Sequence, residues 1–193
     1  MHIALLAPSP IPFVIGGAEK LWQGLYEYVR TATDHRIELL KVPVRDRDFA
    51  GLMAGYRAFA ELDLEHFDLV ISTKYPAWMA RHRRHVVYLQ HKLRGLYDTY
   101  NIGLGLDLPR DKPALAGVLE CLAQPADSID AGLDLLDSVQ SALRGPAAEA
   151  FAFPGPLTRA IVHYLDTVAL APDAVVRYGA ISATVVARAD YFP

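Results

Sequence analysis

The 193 residues contain one cysteine, Cys121. A lone thiol closes no intrachain disulfide and offers no thiolate set for zinc, so a disulfide scaffold and a zinc module are excluded, and a reducing cytoplasm is the easier setting. Long apolar runs are also missing. The first, Ile3 to Ala7, is too short for a signal-peptide core and has no basic region before it. No stretch reaches the roughly 18 apolar residues of a membrane-spanning helix. An excess of one charge is absent too: 19 basic against 22 acidic residues give a net charge of −3. Such a chain has no overall attraction for nucleic acid, and an anionic ligand has to be met by a local basic cluster. There is no internal repeat, no low-complexity tract and no G-x-S-x-G nucleophile elbow.

Hydrophobic residues at 52% and charged residues at 21% describe an ordinary globular chain. At this length roughly 70% of the unfolded surface can be buried. Ile3-Ala4-Leu5-Leu6-Ala7, closed by Pro8-Ser9-Pro10, reads as a strand buried on both faces. Ala18, Leu21, Trp22, Leu25 and Val29 then mark one apolar face of a helix. Ile37 to Val42 is the next strand and Phe49 to Leu62 the next helix. Leu69 to Thr73 and His85 to Leu89 are two more strands around a short Ala-Trp-Met turn. This alternation predicts an α/β fold: a Rossmann-like parallel sheet with helices on both faces and right-handed crossovers. From about 103 to 156 the pattern becomes a helical insertion, bounded by prolines, in which Leu133, Leu136, Val139 and Leu143 share a face and Gly145-Pro146 stops the helix. Thr158 to Leu170 is a further helix, Ala174 to Ile181 the last strand, and Ala183 to Ala189 a short closing helix. The whole reads as one domain, 1–193, and its end at Tyr191-Phe192-Pro193 without a polar tail reads as a boundary inside a longer protein.

In an open parallel sheet, ligands bind beyond the carboxyl ends of the strands, where the strand order reverses. Gly16 and Gly17 follow the first strand, Lys74 and Tyr75 the third, Gln90, His91, Lys92 and Arg94 the fourth, and Ser182 the last, so all share one rim. Gly16-Gly17 at a helix start would let backbone N–H groups approach a diphosphate; the alternative is a tight turn without ligand. Glu19, in the first helical turn, would cap that helix or touch an acceptor. His91 could donate hydrogen bonds to a sugar hydroxyl or a departing phosphate. Ser182 is first of all an N-cap and secondly a phosphate contact. Arg81-His82-Arg83-Arg84 precedes a strand and belongs to the opposite rim, as a solvated face or a contact with anionic lipid or an acidic partner. Asp127, Asp130, Asp134 and Asp137 lie on one helical stripe too long to converge on an ion and read as a solvated face.

The order strand–loop–GGAE–helix, DLVIST at 68–73, YLQHKLRGLYDTY at 88–100 and the closing YLDTVALAPDAVVRYGAISATVVARADYFP together resemble the amino-terminal half of a GT-B fold glycosyltransferase, family 4 (group 1), in its mannosyltransferase-like branch. The third segment carries most of the resemblance: His91, Arg94 and Asp98 are similar to the family's H-x-x-x-R-x-x-x-D pattern, with the arginine one position early. Asp166 corresponds to an aspartate before the last strand. The resemblance implies two Rossmann-like domains, with acceptor bound mainly by the first and nucleotide-sugar by the second. It implies retaining sugar transfer without a metal or other cofactor, at the cytoplasmic face of the cell. Gly16, Gly17 and Ser182 would line the donor diphosphate, His91 would touch the donor sugar near the reacting centre, and Glu19, Lys74, Lys92 and Arg94 would face the acceptor or the cleft. The partners implied are a nucleotide-sugar, a glycan or lipid-linked acceptor and a carboxy-terminal donor-binding domain that these residues lack. The isolated chain is therefore expected to be inactive. A lipid-linked acceptor would give Arg81, Arg83 and Arg84 a peripheral membrane role at the inner face of the cytoplasmic membrane.

Two other readings compete. A dinucleotide-binding enzyme needs G-x-G-x-x-G after the first strand, and the loop from Ala7 to Gly17 is too long and lacks that spacing. A non-catalytic binding domain could keep the fold without the chemistry.

Overall fold

The chain is described by a computed structural model covering residues 1–193 except Val14. Five strands, β1 (His2–Pro10), β2 (Arg36–Val44), β3 (Leu69–Ser72), β4 (His85–Leu89) and β5 (Arg177–Ala180), form one sheet in the order β2-β1-β3-β4-β5. Every neighbouring pair is parallel. The sheet is the expected α/β, Rossmann-like one. The chain leaves β1 for β2 on one side and returns to β3 on the other, so the order reverses between β1 and β3. In open parallel sheets a ligand crevice lies at such a point, beyond the carboxyl ends of the strands.

Alternation along the strands divides the core in two. Ile3, Leu5 and Ala7 of β1 meet Trp22, Leu25 and Val29 of α1 (Gly17–Ala32) on one face. Ala4 and Leu6, with Val70, Val87 and Leu89, face the larger cluster built by α2 (Phe49–Ala60) and the helical insertion. Helices therefore lie on both faces, but unequally. Over β4 the residues alternating towards the α1 side, Val86 and Tyr88, are only half-buried, while Val87 and Leu89 are fully buried.

β1 is longer than its apolar run because Pro8, Ser9 and Pro10 pair with Val42, Pro43 and Val44. β3 reaches only as far as Leu6 along β1, so beyond that point β1 has a free side where a proline's missing N–H leaves no ladder bond unmade. β5 is shorter than expected. The N–H groups of Ala174 and Val175 both turn back to the Ala171 carbonyl, which commits the residues before Val176 to a turn. α2 stops at Ala60, where the Glu61 N–H bonds the Arg57 carbonyl. Its first turn lies so close to the end of β2 that a Cβ on Gly51 would stand 2.5 Å from the Arg45 carbonyl oxygen.

The insertion folds as α3 (Ala116–Ala123), α4 (Ile129–Leu143) and, entering the last crossover, α5 (Pro156–Ala169), with short 3₁₀ turns between. Ser128 caps α4 by accepting from the Ala131 N–H, and Pro156 begins α5 where its missing N–H costs nothing. The buried face of α4 is centred on Leu135, Leu136, Val139 and Ala142; Leu133 and Leu143 lie at its edges, half-buried. The aspartate stripe is exposed, as expected, and two of its members make surface ion pairs. Asp130 pairs with Arg81 at 2.7 Å and Asp137 with Arg57, because cations from neighbouring elements reach across to it. α6 (Ala183–Val186) closes the chain and is shorter than expected.

Candidate functional site

Gly16 and Gly17 sit at the start of α1, on the rim of the crevice. Gly16 is the N-cap, with extended backbone (φ −119°, ψ −165°), and its N–H donates to Glu19 Oε2 at 2.9 Å. A glycine has no side chain to return the bond, so only half of a capping box forms. Neither glycine has positive φ. A Cβ on Gly17 would meet nothing within 4 Å, and one on Gly16 would meet only Glu19 Oε2, at 3.2 Å. A tight turn thus does not account for the pair, since both backbones suit any L-residue. The remaining N–H groups of the first turn have no intrahelical acceptor and carry the positive end of the helix dipole.

From β3, Thr73 accepts the Trp22 indole N–H at 2.6 Å, which ties α1 to the crevice floor. Lys74 follows, half-buried, with Nζ 4.9 Å from the centre of the Tyr75 ring. Burial lowers its pKa, while the charges of Asp46 and Glu19 pull the other way. Tyr75 is buried and donates to Asp46 Oδ2 at 3.3 Å, and burial followed by the Asp46 charge raises its pKa.

From β4 come Gln90, His91 and Lys92. His91 lies edge-on to Tyr75, ring centres 5.7 Å apart, and its Nδ1 is 2.9 Å from the Lys92 carbonyl. A carbonyl only accepts, so Nδ1 carries the hydrogen. Burial lowers the imidazole pKa, and the charges of Lys74, Arg188 and Arg94 lower it further against the Lys92 hydrogen bond. The lowered pKa favours the neutral ring, whose Nε2 presents a lone pair. With Nδ1 held by the Lys92 carbonyl, Nε2 is the ring nitrogen left to meet a ligand, as a hydrogen-bond acceptor in the neutral ring and as a donor once protonated.

Lys92 is also corrected. It is buried, donates to the Asp190 carbonyl at 2.6 Å and lies over the Tyr97 ring at 4.8 Å. Desolvation lowers its pKa, and Asp166 and Asp190 partly offset that. Its ammonium holds the carboxy-terminal segment and is not free for an acceptor. Arg94 is exposed and bonded to Asp98 at 2.9 Å. Asp98 also accepts from Tyr191 at 3.0 Å and lies 3.7 Å from Arg188. Against some desolvation, these bonds and cations bring its pKa down. The His91, Arg94, Asp98 trio therefore divides: His91 packs on Tyr75, whereas Asp98, braced by Arg94, ties down residues 188–191. Ser182 caps α6, accepting from the Val185 N–H at 3.3 Å, and is exposed on the same rim.

One group on the far side of β4 had a weak sequence signal. Asp166 is fully buried on α5 and accepts from Tyr56 (2.6 Å), Trp78 (2.9 Å) and Tyr97 (2.8 Å). Burial and the Asp166 charge raise the pKa of both tyrosines far above the usual phenol range. The signal was an aspartate within the apolar face of Ile161, Val162, Leu165 and Ala169. A second buried polar group is the Gln90 amide, whose Nε2 has no partner among the described residues. Arg81 to Arg84 lie at the opposite rim as expected, where the Arg84 carbonyl accepts from the Val70 N–H at the start of β3.

Compared with models of protein families, with curated proteins and with solved structures, the chain shows no match.

Proposed function

We propose that the chain is the acceptor-side half of a retaining glycosyltransferase, moving a sugar from a nucleotide-sugar to a glycan or lipid-linked acceptor. The observation that carries this reading is that Gly16-Gly17 and Lys74 follow the two strands between which the order reverses, with His91 after the adjoining strand β4 on the same rim. The glycines leave helix N–H groups open to close approach, and Lys74 adds a cation beside them. Together they suit the charge that grows on a leaving diphosphate as the sugar–phosphate bond breaks. The acceptor proton passes to that diphosphate as the new bond forms on the same face of the sugar. His91 Nε2, as an acceptor, holds a hydroxyl of the transferred sugar and orients it. Glu19 bonds the Gly16 N–H, so a diphosphate is held by the next N–H groups and by Lys74. Ser182 and Arg94 would meet the ligand at the edges, and a second domain supplies the donor-side contacts.

Two tests bear on it. The coding sequence downstream of Pro193 should encode a second α/β domain; a stop codon there refutes the two-domain reading. In the longer protein, His91→Ala should depress turnover with the thermal midpoint nearly unchanged, whereas equal loss of folding would make the histidine structural. A non-catalytic binding domain is favoured by one observation: Lys92 and Arg94, two of the rim cations, are already committed within the chain. Sugar transfer by the longer protein would exclude it.

A further inference from the structure

The loop from β1 to α1 carries three large apolar side chains out into solvent: Ile11, Phe13 and Ile15 are 47%, 57% and 70% exposed. Phe13 and Ile15 border a shallow hollow of about 520 Å³ with Trp22, Leu39, Lys20 and Lys41. Lys41 Nζ stands over the Phe13 ring at 4.5 Å. Ile11 is fixed beside the end of β2, its N–H donating to the Val44 carbonyl at 3.2 Å, and Arg45 and Arg47 follow there, both exposed. Within this corner Lys20, Lys41, Arg45, Arg47 and Lys74 stand against Glu19, Asp46 and Asp48, five cations to three anions, in a chain whose net charge is −3. Each of the three anions is held in place: Glu19 on the Gly16 N–H, Asp46 on the Tyr75 hydroxyl, Asp48 on the Gly51 N–H.

We propose that this corner docks the protein on an anionic lipid surface, with Ile11, Phe13 and Ile15 entering the interface and Lys20, Lys41 and Arg47 resting among the headgroups. Charge complementarity decides the occupant: protruding apolar side chains ringed by cations suit a bilayer's apolar interior beneath a negative surface. No helix among the described residues is long and apolar enough to cross a membrane, so attachment through this corner is peripheral. The opposite rim, with Arg81, Arg83 and Arg84, is a poorer face, because Arg81 is paired with Asp130 and the Arg84 guanidinium lies 3.7 Å from Met1 Sδ. The proposal is independent of the transferase reading, since a protein without transfer chemistry would dock in the same way. It does bring the crevice, which shares this rim, to headgroup level.

The test is co-sedimentation of the chain with vesicles of phosphatidylcholine alone and of phosphatidylcholine mixed with phosphatidylglycerol. Binding is expected only to the mixed vesicles and should weaken as salt is raised. Phe13→Asp with Ile15→Asp should abolish it. Lys20→Gln with Lys41→Gln should weaken it about twenty-five-fold, at about fivefold per lysine. Arg83→Gln, on the far rim, should leave it unchanged. All these side chains are exposed, and an unchanged thermal midpoint confirms that the variants fold. Equal binding to both vesicles, no binding, or full binding by either double variant overturns the proposal. So does a concentration-dependent dimer, seen by light scattering and dispersed by the aspartate variant, because a second copy would then cover the patch.

Discussion

Replacing Asp166 tests how the elements of the larger core cluster are joined. Its carboxylate takes hydrogens from Tyr56 on α2, from Trp78 in the turn after β3 and from Tyr97 beyond β4, so one side chain on α5 holds three separate elements. Asp166→Ala leaves three buried donors unpaired, each costing about 1–3 kcal/mol. Allowing for relaxation, the loss should be about 5 kcal/mol, a large part of the roughly 5–15 kcal/mol by which native proteins are stable. Asp166→Asn behaves differently. Its carbonyl can still take the bonds of Tyr56 and Trp78, which share Oδ1, and the Tyr97 hydroxyl can rotate to accept from the new amide. The asparagine variant also removes a buried charge, so its net cost should be about 1 kcal/mol or less. Urea unfolding followed by far-ultraviolet circular dichroism measures both, independently of Trp78 fluorescence. If alanine proves as mild as asparagine, the three donors are finding other partners and the view of Asp166 as the joint is wrong.

Three further outcomes are expected. His85, buried against Ser72 at 2.8 Å, has its pKa lowered to about 4 by desolvation, so the unfolded chain binds more protons between that value and the usual 6.5. Its contribution is intact above pH 6.5 and falls as the pH drops towards 4, by about 2 kcal/mol at pH 5; a Ser72→Ala, His85→Leu double variant should lose that much less stability on acidification, with a residue left by His91 and His163, whose pKa values are also lowered. Gly17→Ala should keep or slightly raise the thermal midpoint, whereas Gly51→Ala should lower it, because a Cβ at Gly51 strikes the Arg45 carbonyl and one at Gly17 meets nothing; equal effects would show that the fold itself requires Gly17. Asp98→Asn should loosen residues 188–191 without unfolding the sheet, since it weakens the ties to Arg94, Arg188 and Tyr191; faster amide hydrogen exchange confined to that segment checks it, and unchanged exchange there refutes the clamp.

The sheet class was legible in the sequence because it rests on local pattern. Short β-branched runs alternating with helical faces leave few arrangements once crossovers are right-handed, and the strand ends then place Gly16, Lys74, His91 and Ser182 on one rim. Ser182 as an N-cap was legible for the same reason, its bond reaching only to Val185. Local pattern was less able to mark where β1 and β5 end. Those limits depend on the strand alongside and on a turn at Ala171.

Side-chain direction was not legible. The residues after β4 read as a row of rim groups, but the structure turns Lys92 inward to a carbonyl 98 positions away and leaves His91 half-buried with Nδ1 on the Lys92 carbonyl. Asp166 finds Tyr56, Trp78 and Tyr97 at separations of 110, 88 and 69 residues, which no periodicity encodes. The sequence by itself determined which elements form and which rim they share, since those follow from the apolar period and from chain chirality. The tertiary structure alone decided which polar groups remain free on that rim, since a buried cation or carboxylate is held wherever packing brings it a partner.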